Sequence, residues 1–192
     1  MMAVSLVKGQ RTDLTKSNPG LTRLHVGLGW DANPMDGNEF DLDAQAFLLN
    51  SDGKVRNDDD FIFYNHKISE NDAVIAGEDN RTGNGDGDDE SLKVDLSKIP
   101  TDVNKIDFTV TIDQYDVRHQ NFGMVNNAYI RIVNDETNEE LMRYDLSEDA
   151  SIETAIVMGE VYRTRNEWKF LPVGAGYQGG LAALASGFGV NI

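Results

Sequence analysis

Lys105-Ile106-Asp107-Phe108-Thr109-Val110-Thr111-Ile112 decides the fold. Ile106, Phe108, Val110 and Ile112 alternate with Asp107, Thr109 and Thr111. Successive residues of an extended chain point to opposite faces, so this stretch reads as a half-buried strand. The same pattern recurs outward in both directions. Leu24, Val26, Leu28 and Trp30 alternate with Arg23, His25, Gly27 and Gly29 across Thr22–Trp30. Leu92, Val94 and Leu96 alternate with Lys93 and Asp95, and Ala128, Ile130 and Ile132 alternate with Tyr129, Arg131 and Val133.

Turn residues separate these runs. Asn134-Asp135-Glu136-Thr137-Asn138 leads into Glu140–Tyr144 as a hairpin loop, and Arg165-Asn166 turns Thr154–Thr164 into Glu167–Leu171. Phe61–Tyr64 is a short β-prone run, and Val4–Val7 reads as an edge strand. Ser97–Pro100 reads as a single turn, and the tail Tyr177–Ser186 as a short helix between glycines. Short strands at this spacing predict an all-β protein, a β-sandwich of two mainly antiparallel sheets. With no Pro-, Gly- or Ser-rich linker and no fixed-period repeat, residues 1–192 are expected to form one domain.

Charge narrows the function. Of 192 residues, 33 are acidic and 17 are Lys or Arg, a formal net charge of −16. Such a surface repels phosphate backbones and anionic lipids, so direct nucleic-acid or membrane binding is not expected. Cysteine is absent, which excludes disulfides, thiol chemistry and cysteine-ligated zinc. No apolar run spans a bilayer and no secretory leader is evident, so a cytoplasmic location is expected.

The acids are clustered. Glu78-Asp79-Asn80-Arg81-Thr82-Gly83-Asn84-Gly85-Asp86-Gly87-Asp88-Asp89-Glu90 holds six acids and three spaced glycines. Carboxylates ~4 Å apart repel by ~1 kcal/mol in water and ~4 kcal/mol near a protein surface. A folded loop of this composition calls for a cation. Its glycines let backbone carbonyls turn inward as well, and many hard oxygens around a small void suit Ca²⁺. The EF-hand pattern fails: counted from Asn84, its glycine position is Asp89 and its glutamate position is Asp95. The reading left is an inter-strand calcium loop, set against a plain solvated acidic loop.

A second acidic group flanks residues 30–43. Asp31 ends one expected strand and Asp41 and Asp43 begin the next, with Asp36 and Glu39 between them as weaker candidates. Hairpin pairing of those two strands would bring Asp31 beside Asp41 and Asp43. A third run, Asn57–Asp60, reads as an ordinary charged loop. His119 near Asp113 and Asp116 is a possible base with an orienting acid, but no nucleophile accompanies it.

Several motifs in order resemble the TerD family of tellurium-resistance and stress-response proteins. They are Val4-Ser5-Leu6-Val7-Lys8-Gly9-Gln10, Gly27-Leu28-Gly29-Trp30-Asp31, Phe40-Asp41-Leu42-Asp43, and Asp79-Asn80-Arg81-Thr82-Gly83 through Glu90. Asn121–Ala128, Gly159–Arg163, Trp168–Phe170 and Gly176–Leu181 follow. The resemblance covers nearly the whole chain. It implies a β-sandwich binding Ca²⁺, two ions in this reading, through acidic loops at one end. It also implies a part in tellurite resistance, with other Ter-family proteins, some membrane-associated, as partners.

By that resemblance Asp31, Asp41, Asp43, Asp79, Asp86, Asp88 and Glu90 match acidic family positions. Asn80, Thr82 and Gly83 match its neutral oxygen donors, and Asp89 joins them or supports them. The expected function is a calcium-dependent sensor or scaffold rather than an enzyme. The alternative is a metal-dependent hydrolase in which carboxylate-held cations activate water.

Overall fold

A computed structural model describes residues 3–32, 39–77, 87–146 and 151–191. Twelve strands are found among them. They are β1 (Val4–Ser5), β2 (Thr12–Asp13), β3 (Arg23–Gly29), β4 (Leu42–Leu49), β5 (Phe61–Ile62), β6 (Val74–Ala76), β7 (Glu90–Asp95), β8 (Lys105–Ile112), β9 (Tyr129–Asn134), β10 (Glu139–Asp145), β11 (Ala155–Thr164) and β12 (Glu167–Tyr177). Two short helices accompany them, α1 (Tyr115–Arg118) and α2 (Gly180–Gly187). The strands form two six-stranded sheets. One runs β1-β10-β9-β3-β7-β6 and the other β2-β12-β11-β8-β4-β5. Only β1 pairs in parallel; every other pairing of these strands is antiparallel.

The alternation seen in sequence becomes the packing between the sheets. Leu24, Val26 and Leu28 of β3, Leu92 and Val94 of β7, and Ile130 and Ile132 of β9 meet Ile106, Phe108 and Val110 of β8 in one buried cluster. Each such side chain, fully buried, contributes about 1.5–3 kcal/mol from apolar surface removed from water. Both expected hairpins form. Asn138 takes a positive φ of 57° in the turn before β10, and Arg165 one of 58° between β11 and β12. A bulge in β11 at Val157–Gly159 shifts its register against both neighbours.

One expectation needs correction. The strand ending at Trp30 and the strand after Asp41 are not hairpin partners, because β3 lies in the first sheet and β4 in the second. The reason is the composition of β4. Ala44, Ala46 and Leu48 face the inter-sheet core, while Phe47 and Leu49 enter a second cluster on the opposite face. A strand that is apolar on both faces needs cover on both sides. That cover is α2 with the residues after it, which place Leu184, Ala185 and Val190 against Phe47, Leu49, Phe61 and Val157. The outward row of β3, His25, Gly27 and Gly29, has no such apolar demand.

The tail helix is shorter than its expected span. β12 continues through Tyr177, which pairs with Ala155, and left-handed glycines at Gly179 (φ 95°) and Gly180 (φ 61°) break the strand before α2. Among the described residues no helix is long and apolar enough to cross a membrane. In the third acidic run, Asp58–Asp60 form one short helical turn capped by the Asn57 side chain. Asp60 is buried in a fork of Arg56, with Nε to Oδ2 at 2.8 Å and Nη2 to Oδ1 at 2.7 Å.

Candidate functional site

The end of β3 meets the start of β7. Leu28 pairs with Glu90, and the Asp89 N–H donates to the Leu28 carbonyl at 2.8 Å. Beyond that point the register gives way to side-chain contacts. The Trp30 N–H donates to Asp89 Oδ2 at 2.9 Å. The Asp31 N–H donates to the Asn126 carbonyl at 2.9 Å, and Asn127 Nδ2 donates to Asp31 Oδ2 at 2.6 Å. Glu90 shares the inward face of β7 with Leu92 and Val94 and is itself buried.

These acids feel one another. Burial pushes the Asp89 carboxyl above the usual carboxylate range. The Trp30 N–H opposes that shift, and the charges of Asp88 and Asp31 add to it. A cation at this end would reverse the balance, since an opposite charge within ~4–6 Å favours the ionised form.

Asp88 has a different environment. Its side chain lies on the outward face of the first sheet, where a Cβ on Gly27 would fall on its carboxylate. Arg131, the cross-strand partner of Gly27 on β9, holds that carboxylate with two parallel bonds, Nε to Oδ1 at 2.7 Å and Nη2 to Oδ2 at 3.0 Å. His25 Nε2 lies 2.9 Å from Oδ2. The Tyr129 hydroxyl donates between the Gly87 carbonyl at 2.8 Å and Asp88 Oδ1 at 3.0 Å. The Tyr129 ring occupies the space above Gly29 and is covered by the Arg143 guanidinium, 3.8 Å from its centroid. Burial raises the Asp88 pKa, but the bonds from His25, Arg131 and Tyr129 outweigh it and hold the group below the ordinary value. The Tyr129 hydroxyl is pushed up to about 12, by burial first and the Asp88 charge second.

Asp41 and Asp43 come from the other sheet. Asp43 pairs with Thr111 on the outward face of β4, beside the buried Gln45 amide, which bonds Thr109, Thr111 and the Asp43 carbonyl. With Asp113, Tyr115 and Asp116 it lines a cleft of about 270 Å³. The Asp41 carbonyl accepts from the Asp113 N–H at 2.8 Å, and its Oδ2 lies 3.5 Å from Arg118 Nη2. Residues 113–128 then link the two acidic groups: Gln120 Nε2 donates to the Glu39 carbonyl, and Asn126 receives Asp31. Both groups therefore lie at one end of the sandwich, brought there by this connection and not by a hairpin.

Asp79, Asn80, Thr82, Gly83 and Asp86, and also Asp36, lie outside the described residues. Among the described residues no three His, Asp or Glu side chains form a cation cage. Asp31, Asp89 and Glu90 carry carboxylate oxygens, the hard donors that Ca²⁺ takes, so the donor chemistry fits, although these three side chains do not themselves close around one point. Asp113 bonds Gln114 Nε2 and Arg118, so its partners are other than His119. Sequence reasoning missed His25, Tyr129 and Arg131. The one hint was the pair Gly27 and Gly29 in the outward row of β3, where a strand gives up two side chains to make room; what fills that room comes from β9 and from Asp88 and is not written nearby in the chain.

The fold defines a class of protein, a β-sandwich of two six-stranded, mainly antiparallel sheets. Within that class this chain belongs to the TerD domain family, whose model matches residues 2–188. It is 56% identical over its full length to general stress protein 16U of Bacillus subtilis (strain 168), covering all of both chains. It is 55% identical to tellurium resistance protein TerD of Serratia marcescens over 99% of each. Among solved structures, a homologue of telluride resistance protein (TerD), SCO6318 from Streptomyces coelicolor A3(2), superposes with a TM-score of 0.70 at 24% identity. It covers 86% of this chain and 96% of that one, a likeness of fold.

Proposed function

We propose that this chain is a calcium-binding stress-response protein that supports tellurite resistance as a calcium-dependent sensor or scaffold. The cellular part rests on relatives named for general stress and for tellurium resistance. The ion-binding part rests on one observation: the buried Asp89 carboxylate lies in the field of Asp31 and Asp88 at the C-terminal end of a segment with six acids. Asp31, Asp89 and Glu90, with Asp79, Asn80, Thr82, Gly83 and Asp86 from that segment, would hold one Ca²⁺ or share two. Asp41 and Asp43 supply the second group of oxygens. Bound calcium supplies positive charge at this end and draws the carboxylates inward.

The chain has no cysteine to reduce tellurite with, which favours an indirect role through partners. Those partners are other Ter-family proteins, some membrane-associated. They would dock on an end whose charge calcium changes. Nucleic acid and lipid headgroups are repelled by the net charge of −16.

The test is calorimetry of demetallated protein with CaCl₂, alongside melting in calcium and in chelator. Saturable heat and a higher melting temperature in calcium are expected, with about 2.7 kcal/mol of added stability at a hundredfold excess over Kd. Dilution heat alone, with identical melts, overturns the calcium reading.

A further inference from the structure

We infer that Asp88 is the latch of the acidic segment and not one of its cation ligands: locked over Gly27 by the Arg131 fork, it fixes the stem Gly87–Glu90 and with it the positions of Asp89 and Glu90. This rests on the calcium reading above. Three observations carry it. Both Asp88 oxygens are already engaged, Oδ1 by Arg131 Nε and the Tyr129 hydroxyl, Oδ2 by Arg131 Nη2 and His25. A bidentate arginine fork is among the stronger and more directional ways to hold a carboxylate. The floor beneath is shaped for this arrangement. Gly27 and Gly29 leave the space that the Asp88 carboxylate and the Tyr129 ring fill, and a methyl group at either position would meet them.

The third observation is the divergence of neighbouring side chains. Asp88 goes to the outward face, Asp89 turns to the Trp30 N–H, and Glu90 goes to the inward face with Leu92. The backbone between them is pinned at Asp89, whose N–H meets Leu28, and at Gly87, whose carbonyl takes the Tyr129 hydroxyl. Arg131 is itself braced from the far side, its Nη1 donating to Glu140 Oε2 at 2.8 Å. The guanidinium thus sits between two carboxylates. A divalent cation at Asp88 would have to displace Arg131 and would then lie beside its positive charge. Held in the fork, Asp88 acts on the ion only by fixing where Asp89 and Glu90 stand. It is a positioning residue.

Ligand and latch predict opposite signs for one substitution. Arg131→Met removes a competing cation if Asp88 is a ligand, and calcium affinity should rise. If Asp88 is a latch, the stem loosens and affinity should fall, by about tenfold, the lower end of what losing a supporting partner does to a metal site. Tyr129→Phe keeps the ring over Gly29 and removes only the hydroxyl bonds, so it guards against a misfolded Arg131→Met; a smaller fall is expected. Asp88→Asn weakens binding under both readings and is not the deciding variant.

Calorimetry with CaCl₂ on the wild type, Arg131→Met and Tyr129→Phe gives the affinities. Hydrogen exchange at the Asp89 and Trp30 amides reports the stem directly in calcium-free buffer. Faster exchange with weaker binding supports the latch. Stronger binding in Arg131→Met, or unchanged exchange in both folded variants, overturns it. Absence of binding in the wild type defeats the calcium reading instead, and exchange then judges the latch alone.

Discussion

Gly29 has no room for a methyl group. A Cβ there would stand 2.5 Å from the Tyr129 ring, which is itself trapped beneath Arg143. Gly29→Ala is therefore expected to destabilise the protein by about 1–3 kcal/mol, the usual cost of overpacking, read as a lower urea midpoint at an unchanged slope. Asp107 makes a second prediction at this scale. Burial raises its pKa to about 7 against the pull of Lys105, whose ammonium lies 3.4 Å away, and Glu160 adds to the rise. A carboxyl that binds its proton more tightly folded than unfolded favours folding at low pH. That contribution is complete below the ordinary value of 3.8 and is lost as pH climbs to about 7. Its slope is at most about 1.4 kcal/mol per pH unit. Asp107→Asn should flatten the stability profile across that window, measured by urea denaturation at several pH values. A wild-type profile already flat there, or unchanged by the substitution, would refute the assignment.

At the scale of elements, β4 and α2 depend on each other. Phe47 stacks on Phe61 at 4.6 Å, Phe61 stacks on Phe63 at 4.2 Å, and α2 closes over this outward apolar face with Leu184 and Ala185. Leu184→Ala is expected to cost about 2–5 kcal/mol. It should also raise binding of a hydrophobic dye, because the aromatic row loses part of its cover. Unchanged dye fluorescence and stability would show that α2 is not the cover. This is also the scale at which sequence reading succeeded and failed. β3, β7, β8 and β9 were legible because large apolar residues alternate with polar ones or glycine, even in β8, where the polar row Asp107, Thr109 and Thr111 is buried as well rather than half-exposed as expected. β4 was harder to place because apolar residues stand on both its faces, which leaves no alternation to reveal sheet or partner. β12 was read only as far as Leu171, since Pro172, Gly174 and Gly176 disguise a strand that pairs through Tyr177. The carboxylates of the candidate site were legible by charge. The partners of Asp88 were not, because they sit on β3 and β9 and meet it only across the sheet.

For the whole molecule, the net charge of −16 is the dominant electrostatic fact. Self-repulsion opposes the compact state and is screened by salt, with a Debye length near 10 Å at about 0.1 M and near 3 Å at about 1 M. Melting in chelator should therefore rise with NaCl concentration. With calcium bound, part of the charge at the acidic end is neutralised and the rise should be smaller. Equal salt slopes in chelator and calcium would argue that the acidic end carries little of the repulsion.

By itself, the sequence determined that the chain is a β-sandwich and that its acids are clustered in a few short segments. Alternation and charge density are local properties, written in neighbouring residues. Only the tertiary structure decided that Asp31 and Asp41 reach the same end from different sheets. It alone decided that Asp88 faces Arg131 across a glycine floor while Asp89 and Glu90 turn elsewhere. Those outcomes depend on which strands pair and which faces need cover, and those in turn are set by contacts between residues far apart in the chain.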